Sequence, residues 1–299
     1  SAIRRFHLGV VRKMIGIIAS VIDGVLVGAV YGLAAMGLTL IWGVMNVINL
    51  THGAMIVFGM FTLYFLAAGV GLPAYGAVPL VIVLGFCFGV VVYWIAVHRV
   101  IGRAHLMSLL STFAMNMVLI GLGTALFSTS PYNVPVSVPG VRWGNYTFTG
   151  THIMAAALAF VIAGLLYLLL YRTRIGKAIR AVADNRVAAE LNGIPTTRVL
   201  SFAFGLGVAL AAVSGTLIAT LFPFTVLSGG AYELKSFVVT VLGGLGNPAG
   251  ALLGGVMLGV IEGLATPFMP VSWIPIIEFL LFIAVLILFP GGIFAMKRS

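Results

Sequence analysis

A short polar stretch interrupts an otherwise apolar chain between residues 46 and 53. Asn46, Asn49, Thr51 and His52 supply amide, hydroxyl and imidazole groups, and Gly53 follows them directly. Such side chains can satisfy the backbone groups that become free where a helix breaks, and the free N-terminus of a helix suits an anionic or dipolar ligand. We therefore expect Asn49 or Thr51 to cap a helix that begins near His52, and we expect all five residues to line a solute pathway.

The same residues also have a purely structural interpretation. In hydrocarbon every backbone polar group needs a partner inside the protein. Asn46, Asn49 and His52 would then satisfy one another and the broken helix without touching a solute. Unchanged solute uptake after separate substitution of Asn49 and His52 would support this second interpretation.

A second interruption lies at Gly246-Asn247-Pro248, between two apolar runs near the end of the chain. Interrupted apolar segments at matching positions in two halves indicate a binding site in transporters. We therefore predict an internal duplication that pairs residues 43–53 with residues 243–251, and Asn247 joins the candidate pathway residues.

Ionisable residues lie within or beside the apolar runs at Asp23, Glu233, Lys235, Glu262 and Glu278. A charge at the bilayer centre is costly, so such groups usually face the protein interior or a watery cavity. We expect Glu233 and Lys235 to lie at a membrane edge, where the cost falls. The other three are expected to line a path, pair across helices or contact a partner subunit.

The basic stretch from Thr173 to Arg198 alternates apolar and charged residues at helical spacing. Asp184 is expected to cap a short helix over residues 185–192, which Gly193 and Pro195 would close. One interpretation is an amphipathic helix on the inner leaflet; the other is a rigid surface for a soluble cytoplasmic partner. Its length of more than twenty residues favours the partner, because a simple connection needs only a few.

Composition indicates the environment in which these residues must be positioned. Of the 299 residues, 62% are hydrophobic and 7% are charged, against roughly 45–50% and about 25% in a soluble domain. The chain is therefore an integral membrane protein and not an autonomous soluble enzyme. The net charge of +10 comes mostly from Lys and Arg that flank apolar runs, which is the positive-inside pattern and not a nucleic-acid surface.

The apolar runs predict an all-α protein of about eight transmembrane helices, with broken or re-entrant segments near 43–53 and 243–251. We predict one transmembrane domain over residues 1–299, with a basic N-terminal flank at 1–13 and a cytoplasmic segment at 172–198. Residues 131–150 are expected outside and the N-terminus in the cytoplasm. The apolar runs themselves cover residues 14–44, 50–69, 75–97, 106–128, 152–171, 200–222, 234–266 and 273–290.

Several kinds of chemistry find no motif in the sequence. No run of the form GxxxxGK[ST] is present, so we expect no nucleotide to bind through a P-loop in this chain. No metal-spaced His/Cys cluster or catalytic nucleophile motif is present either, and Cys87 is the only cysteine. We therefore expect no catalytic residues, no metal and no cofactor in this chain.

Four stretches of the chain carry a recognisable family pattern. Residues 28–44 read GAVYGLAAMGLTLIWGV and residues 46–53 read NVINLTHG, while residues 176–194 read GKAIRAVADNRVAAELNGI and residues 241–255 read VLGGLGNPAGALLGG. In this order they resemble the LivH-type permeases, which are membrane subunits of ABC importers for branched-chain amino acids. Members often have Phe-Ala before the His-Gly pair, where this chain has Leu50-Thr51; this difference leaves the solute open among branched-chain amino acids, urea, short amides, and aromatic or dicarboxylic acids.

The resemblance implies a permease subunit in the bacterial inner membrane that forms half of a translocation pathway. Its implied partners are a LivM-like second permease in a heterodimer, two cytoplasmic ATPases of the LivG/LivF type that bind ATP and Mg, and an extracytoplasmic solute-binding protein. The stretch at residues 176–194 resembles the segment that couples the family's permeases to their ATPases. The residues carried over to that role are Arg180, Asp184, Asn185, Arg186, Ala188, Ala189, Glu190 and Gly193.

Other functions remain open beside the importer. An ion-coupled secondary transporter or channel would move solute without an ATPase, and a non-transporting assembly subunit would not carry a pathway at all. A membrane enzyme is the least favoured, because the sequence contains no catalytic set.

Overall fold

The computed structural model describes residues 2–143, 146–289 and 291–294, which form a bundle of α-helices. Two short strands, β1 (Val141–Trp143) and β2 (Tyr146–Phe148), form an antiparallel hairpin between the fourth and fifth helices. The helices are α1 (Ala2–Met45), α2 (His52–Gly69), α3 (Val78–Val92, extended by a π-helical turn at Tyr93–Val97), α4 (His105–Phe127), α5 (Gly150–Arg172), α6 (Arg174–Asp184), α7 (Arg186–Leu191), α8 (Thr196–Ala219), α9 (Gly229–Gly243), α10 (Pro248–Ala265) and α11 (Ile274–Leu288).

The helix lengths confirm an all-α membrane protein. Within the described ranges, seven helices are long and apolar enough to cross a membrane. Helices α9 and α11 have 15 residues each, or about 22 Å at 1.5 Å per residue, which is shorter than a hydrocarbon core of about 30 Å. The chain breaks between α1 and α2 and again between α9 and α10, where the sequence predicts it.

Glycines bring α1 and α10 into backbone contact. A Cβ atom added to Gly28 would lie 2.5 Å from the carbonyl oxygen of Gly255, and one added to Gly24 would lie 2.1 Å from that of Gly259. Membrane helices gain their packing energy from such close approach, because burial from lipid supplies little. The chain has 38 glycines among its 299 residues, and those in α1 and α10 allow this close helix–helix packing. Helix α8 fills the centre of the bundle, with most of its residues buried against α1, α2 and α3.

The two basic segments lie at one end of the bundle, as predicted. Residues 101–103 and residues 182–186 line one cleft together with Met45, and we call this the cytoplasmic end in accordance with the positive-inside rule. Residues 64–75 and 133–138 line a cleft near the outer end.

The prediction of a cytoplasmic N-terminus is wrong. Helix α1 is continuous from Ala2 to Met45, so its two ends lie on opposite sides of the membrane. Its C-terminal end lies beside the basic segments, whereas Gly16 lies next to the hydroxyl of Tyr146 in the outer hairpin. The basic flank at residues 1–13 therefore lies towards the outer side, because α1 crosses the membrane once between this flank and Met45.

Candidate functional site

The polar stretch before α2 is held together by its own side chains. The Oδ1 atom of Asn49 accepts hydrogen bonds from the Thr51 hydroxyl and, at 3.2 Å, from the Thr51 backbone N–H. Thr51 occupies the N-cap position of α2, but its side chain accepts no hydrogen bond from a backbone N–H of the described helix. The prediction that Asn49 or Thr51 caps α2 is thus wrong, because Asn49 bonds the residue before the helix.

His52 connects the start of α2 to α1. Its Nε2 atom lies 3.0 Å from the carbonyl oxygen of Ala34. The imidazole is fully buried, and its Nδ1 atom has no hydrogen-bond partner among the described residues. Thr112 of α4 fixes the preceding segment, since its hydroxyl donates to the Ile48 carbonyl at 3.0 Å and lies 3.3 Å from the Leu50 backbone N–H.

These contacts place the start of α2 inside the membrane. Ala34 precedes the end of α1 at Met45 by eleven residues, or about 16 Å along the helix. The chain therefore turns back after α1 and begins α2 at about half the depth of the hydrocarbon core. From there α2 runs outwards, where Phe65 packs against Phe127 at the outer end of α4.

Helix α9 begins at the same place and runs the opposite way. A Cβ atom added to Gly53 would lie 2.4 Å from the carbonyl oxygen of Gly229, so the two backbones touch. Helix α9 then runs towards the cytoplasmic end, where Gly43 faces Gly246 after the helix has ended. Helix α2 and the shorter α9 thus start side by side at membrane depth and diverge, which is the arrangement of discontinuous helices around transporter sites.

A cavity of about 310 Å³ opens beside this meeting point. Its wall is almost entirely apolar and aromatic, and three polar side chains face it: Thr62, Asn116 and Glu233. Among the described residues, the six candidates named from the sequence are not part of this lining, which begins one residue after Gly53. The lining consists of Ala54, Val57, Phe58, Phe61, Thr62, Phe65, Phe88, Asn116, Leu119, Ile120, Leu122, Gly123, Leu126, Phe127, Val226, Gly229, Gly230 and Glu233.

Glu233 lies at membrane depth and not at a membrane edge, so that prediction is wrong. It precedes the end of α9 at Gly243 by ten residues, or about 15 Å. Its carboxyl group lies within hydrogen-bonding reach of the Gly53 backbone N–H at the start of α2. The sequence places Glu233 directly before the apolar run at 234–266, but α9 begins four residues before Glu233 and inside the membrane.

Lys235 likewise lies inside the bundle and not at an edge. Its Nζ atom donates to the Glu262 carboxylate at 2.6 Å and also to the Glu278 carboxylate. The ammonium group lies 4.8 Å from the centre of the Tyr31 ring. Pairing across helices, one of the three expectations for Glu262 and Glu278, is confirmed, and the triad connects α9, α10 and α11.

Asp23 also pairs across helices. Its carboxylate lies 2.5 Å from Nδ1 of His152 at the start of α5. This pair joins the outer parts of α1 and α5, away from the cavity.

Asn46 and Asn247 lie at the cytoplasmic end and not with the polar cluster. Asn46 is exposed, with a backbone φ of 53°. Asn247 caps α10, because its Oδ1 atom accepts from the Gly250 N–H at 3.1 Å. Its Nδ2 atom donates to the Phe294 carbonyl at 2.9 Å, so both polar ends of Asn247 have structural partners.

The basic cytoplasmic segment folds as two helices, α6 and α7, instead of one continuous pattern. Asn185 and not Asp184 caps α7, since its Oδ1 atom accepts from the Ala188 N–H at 3.0 Å. Gly193, at a φ of 77°, ends the helix as expected. Asp184 is the last residue of α6 and exposed.

Helix α7 has one buried face and one exposed apolar face. Ala189 packs inwards, and the Glu190 carboxylate accepts from the Thr196 hydroxyl and pairs with Arg186 at 3.5 Å. Val187 and Leu191 point outwards, 67% and 85% exposed, with Ala188 exposed beside them. Arg180 lies on α6 instead, over the Tyr171 ring at 4.7 Å.

Sequence reasoning missed Asn116 altogether. It lies in the middle of α4 and is 9% exposed, and its Oδ1 atom has no hydrogen-bond partner among the described residues. The signal was available, because an amide in the middle of an apolar run of transmembrane length is costly unless it has a use.

Known proteins resemble this chain along most of its length. The family described as "Branched-chain amino acid transport system / permease component" matches residues 20–289. The high-affinity branched-chain amino acid transport system permease protein LivH of Escherichia coli is 28% identical over 290 residues, covering 91% of this chain and 93% of that protein.

More distant relatives extend the comparison. A probable branched-chain amino acid transport permease protein LivH of Methanocaldococcus jannaschii is 28% identical and covers 87% of each chain. The ribose import permease protein RbsC of Escherichia coli is 24% identical over 206 residues, or 65% of this chain and 62% of that protein. No solved structure matches. Because the family pattern covers all the helices from α2 to α11 and most of α1, the chain belongs to the family of permease components of branched-chain amino acid transport systems.

Proposed function

We propose that this chain forms half of the membrane pathway of an ATP-driven importer for hydrophobic amino acids, in the cytoplasmic membrane of a bacterium. The observation that carries the proposal is the meeting of α2 and α9 at Gly53 and Gly229, inside the membrane and beside a cavity. Helices that begin at membrane depth leave backbone polar groups there, which is tolerated only where they are buried in protein or line a pathway.

The exposed face of α7 supports contact with an ATPase. Val187 and Leu191 are four residues apart and lie on the same side of the helix. Large apolar side chains at such exposure favour a protein partner, and Asn185 and Gly193 fix both ends of the helix that presents them. In this proposal α6 and α7 transmit the closure of two ATPases, which bind ATP and Mg, to the helices of the permease.

The proposed assembly needs further chains. A second permease of LivM type would complete the pathway as a heterodimer, and an extracytoplasmic binding protein would deliver the solute at the outer end. The chain itself is then a transport subunit without enzymatic activity. The relatives named for branched-chain amino acid transport support this solute class.

The test is transport by the complete complex in proteoliposomes. Leucine uptake should require ATP on the side of α7, and an ion gradient without ATP should produce none. Uptake driven by an ion gradient through the purified chain alone would contradict the importer and support a secondary transporter.

A pair of surface variants tests the ATPase contact. Leu191→Asp in α7 should reduce ATP-driven uptake to background, because it places a charge in an apolar contact, while the variant remains folded. Leu191→Met is the matched control, since it keeps a large apolar side chain at the same exposed position of α7. Equal uptake by both variants would contradict a role for α7 in coupling.

A further inference from the structure

Among the described residues, the cavity beside α2 and α9 contains a carboxyl group without a cationic partner and an amide oxygen without a hydrogen-bond donor. Glu233 has no cationic partner among the described residues, whereas Lys235, two residues later, is paired with two carboxylates. The Oδ1 atom of Asn116 is buried and unpartnered in the described part of the chain. The third polar side chain, Thr62, already donates its hydroxyl to the Phe58 carbonyl at 2.6 Å.

Both acceptors point to a ligand that donates hydrogen bonds and carries positive charge. A buried acceptor without a donor is costly, and a carboxylate in a low-dielectric site is more so. The Gly53 N–H supplies one donor to Glu233, but an amide would leave the charge of the ionised carboxylate uncompensated. A cation in the cavity would satisfy Glu233 and Asn116 together.

The wall of the cavity selects the kind of cation. Phe58, Phe61, Phe65 and Phe88 line it, and aromatic faces attract organic ammonium groups. Calcium and magnesium instead need about six or more oxygen ligands or retained waters, which one carboxylate and one amide do not supply. The volume of about 310 Å³ lies at the lower end of small-molecule sites, about 300–1,000 Å³.

We propose that this cavity binds the primary ammonium group of a small solute with an apolar body, with Glu233 as its counter-ion and Asn116 as a second acceptor. The permease would then itself distinguish ammonium-bearing solutes from neutral amides and from acids. Gly229 and Gly230 keep the first turn of α9 clear of side chains, and no described atom lies within 4 Å of a Cβ atom added to Gly230. This inference rests on the proposed function, because that function supplies an amino acid as the solute.

The test measures binding to the complete complex in nanodiscs of phosphatidylcholine and phosphatidylglycerol. The probes are leucine, 3-methylbutylamine and 4-methylpentanoate, which share an apolar body and differ in their charged groups. We expect leucine and the amine to bind and the acid not to bind. Binding of the acid as tight as that of the amine would overturn the proposal in favour of an anion site at the helix N-termini.

The variant Glu233→Gln tests whether the charge of the Glu233 carboxylate is needed for binding. The glutamine keeps an oxygen acceptor for the Gly53 N–H, so the fold should be retained, while affinity for 3-methylbutylamine should fall at least about tenfold. Asp23→Asn is the matched control, because it removes a carboxylate that pairs with His152 away from the cavity. Wild-type affinity in Glu233→Gln would overturn the proposal.

Asn116→Leu separates binding from folding. It removes the unpartnered acceptor while keeping a similar shape, so the melting temperature should stay the same or rise. Amine affinity should nevertheless fall several-fold. Unchanged affinity would overturn the role of Asn116.

Two further experiments complete the test. One asks whether the bound ammonium group belongs to a solute or to a lipid, and the other separates failure of the cavity site from failure of the importer. Phosphatidylethanolamine also carries a primary ammonium group, and loss of amine binding when it is added to the nanodiscs would assign the cavity to lipid, overturning the solute. If amine binding depends on Glu233 but ATP drives no uptake, the cavity site stands and the importer falls. If ATP drives uptake and Glu233→Gln changes neither binding nor uptake, the importer stands and the cavity site falls.

Discussion

The two interruptions of the chain, at residues 46–51 and at residues 244–247, differ in what holds them. The first is a non-helical segment that leads from the cytoplasmic end to the start of α2 inside the membrane, where Thr112 and the Ala34 carbonyl hold it by long-range contacts. The second is a tight turn at the cytoplasmic end, with Gly244 and Gly246 at positive φ. Polar residues at a helix break therefore indicate a functional site only where tertiary contacts hold the break inside the membrane.

The two halves of the chain correspond differently in the structure than in the sequence. The sequence pairs residues 43–53 with residues 243–251, but the counterpart of the start of α2 is the start of α9. Helix α2 begins after a non-helical segment and α9 directly after a 3-10 turn at Val226–Ser228, and their first turns touch through Gly53 and Gly229. They run in opposite directions, as in transporters built from inverted halves.

The largest effect is expected from Gly53→Val. The added side chain would overlap the Gly229 backbone, whose carbonyl oxygen lies 2.4 Å from the position of a Cβ atom, so α2 and α9 would separate. We expect little folded protein in detergent, measured by size-exclusion chromatography. Gly230→Ala is the control, because its added Cβ meets open space among the described residues; a well-folded Gly53→Val variant would show that the two helices need not touch.

A smaller effect is expected from Asn49→Leu in the first interruption. The Thr51 N–H would lose its partner inside the membrane, which costs about 1–3 kcal/mol. Both the melting temperature and the uptake rate per folded molecule should fall. Normal uptake by this variant would support the purely structural interpretation of the polar cluster.

The smallest effect is expected from Asn247→Ala in the second interruption. Loss of the α10 cap should cost about 1 kcal/mol of stability, because the Gly250 N–H loses its acceptor. Uptake per folded molecule should stay at the wild-type rate. A loss of uptake greater than in Asn49→Leu would reverse the comparison between the two breaks.

The sequence predicts the fold class and both breaks well, because apolar runs and the polar residues between them are local features. It also predicts that the basic segments share one end, since positive charge marks that end directly. The sequence predicts the wrong side of the membrane for the N-terminus, because four basic residues there suggest the cytoplasm. Helix α1 is continuous and brings Met45 to the cytoplasmic end, which places its N-terminal end on the other side.

The site was harder to predict than the fold. Glu233 and Asn116 lie on different helices, 117 positions apart in the sequence, and only tertiary packing brings them to one cavity. The depth of Glu233 depends on where α9 begins, and that point is set by contact with Gly53. Asn49, Thr51 and His52 were found because neighbouring residues in sequence are also neighbours in space, yet they support the break and do not line the cavity.

One accessibility measurement asks whether α2 and α9 begin beside a solute cavity inside the membrane. Gly230→Cys, in a background where Cys87 is replaced by Ala, places a thiol in the cavity wall. In the complete complex during ATP turnover, we predict that a membrane-impermeant thiol reagent labels this cysteine and that leucine slows the labelling. Labelling at the same rate with and without leucine, or no labelling at all, would contradict a solute cavity at this position.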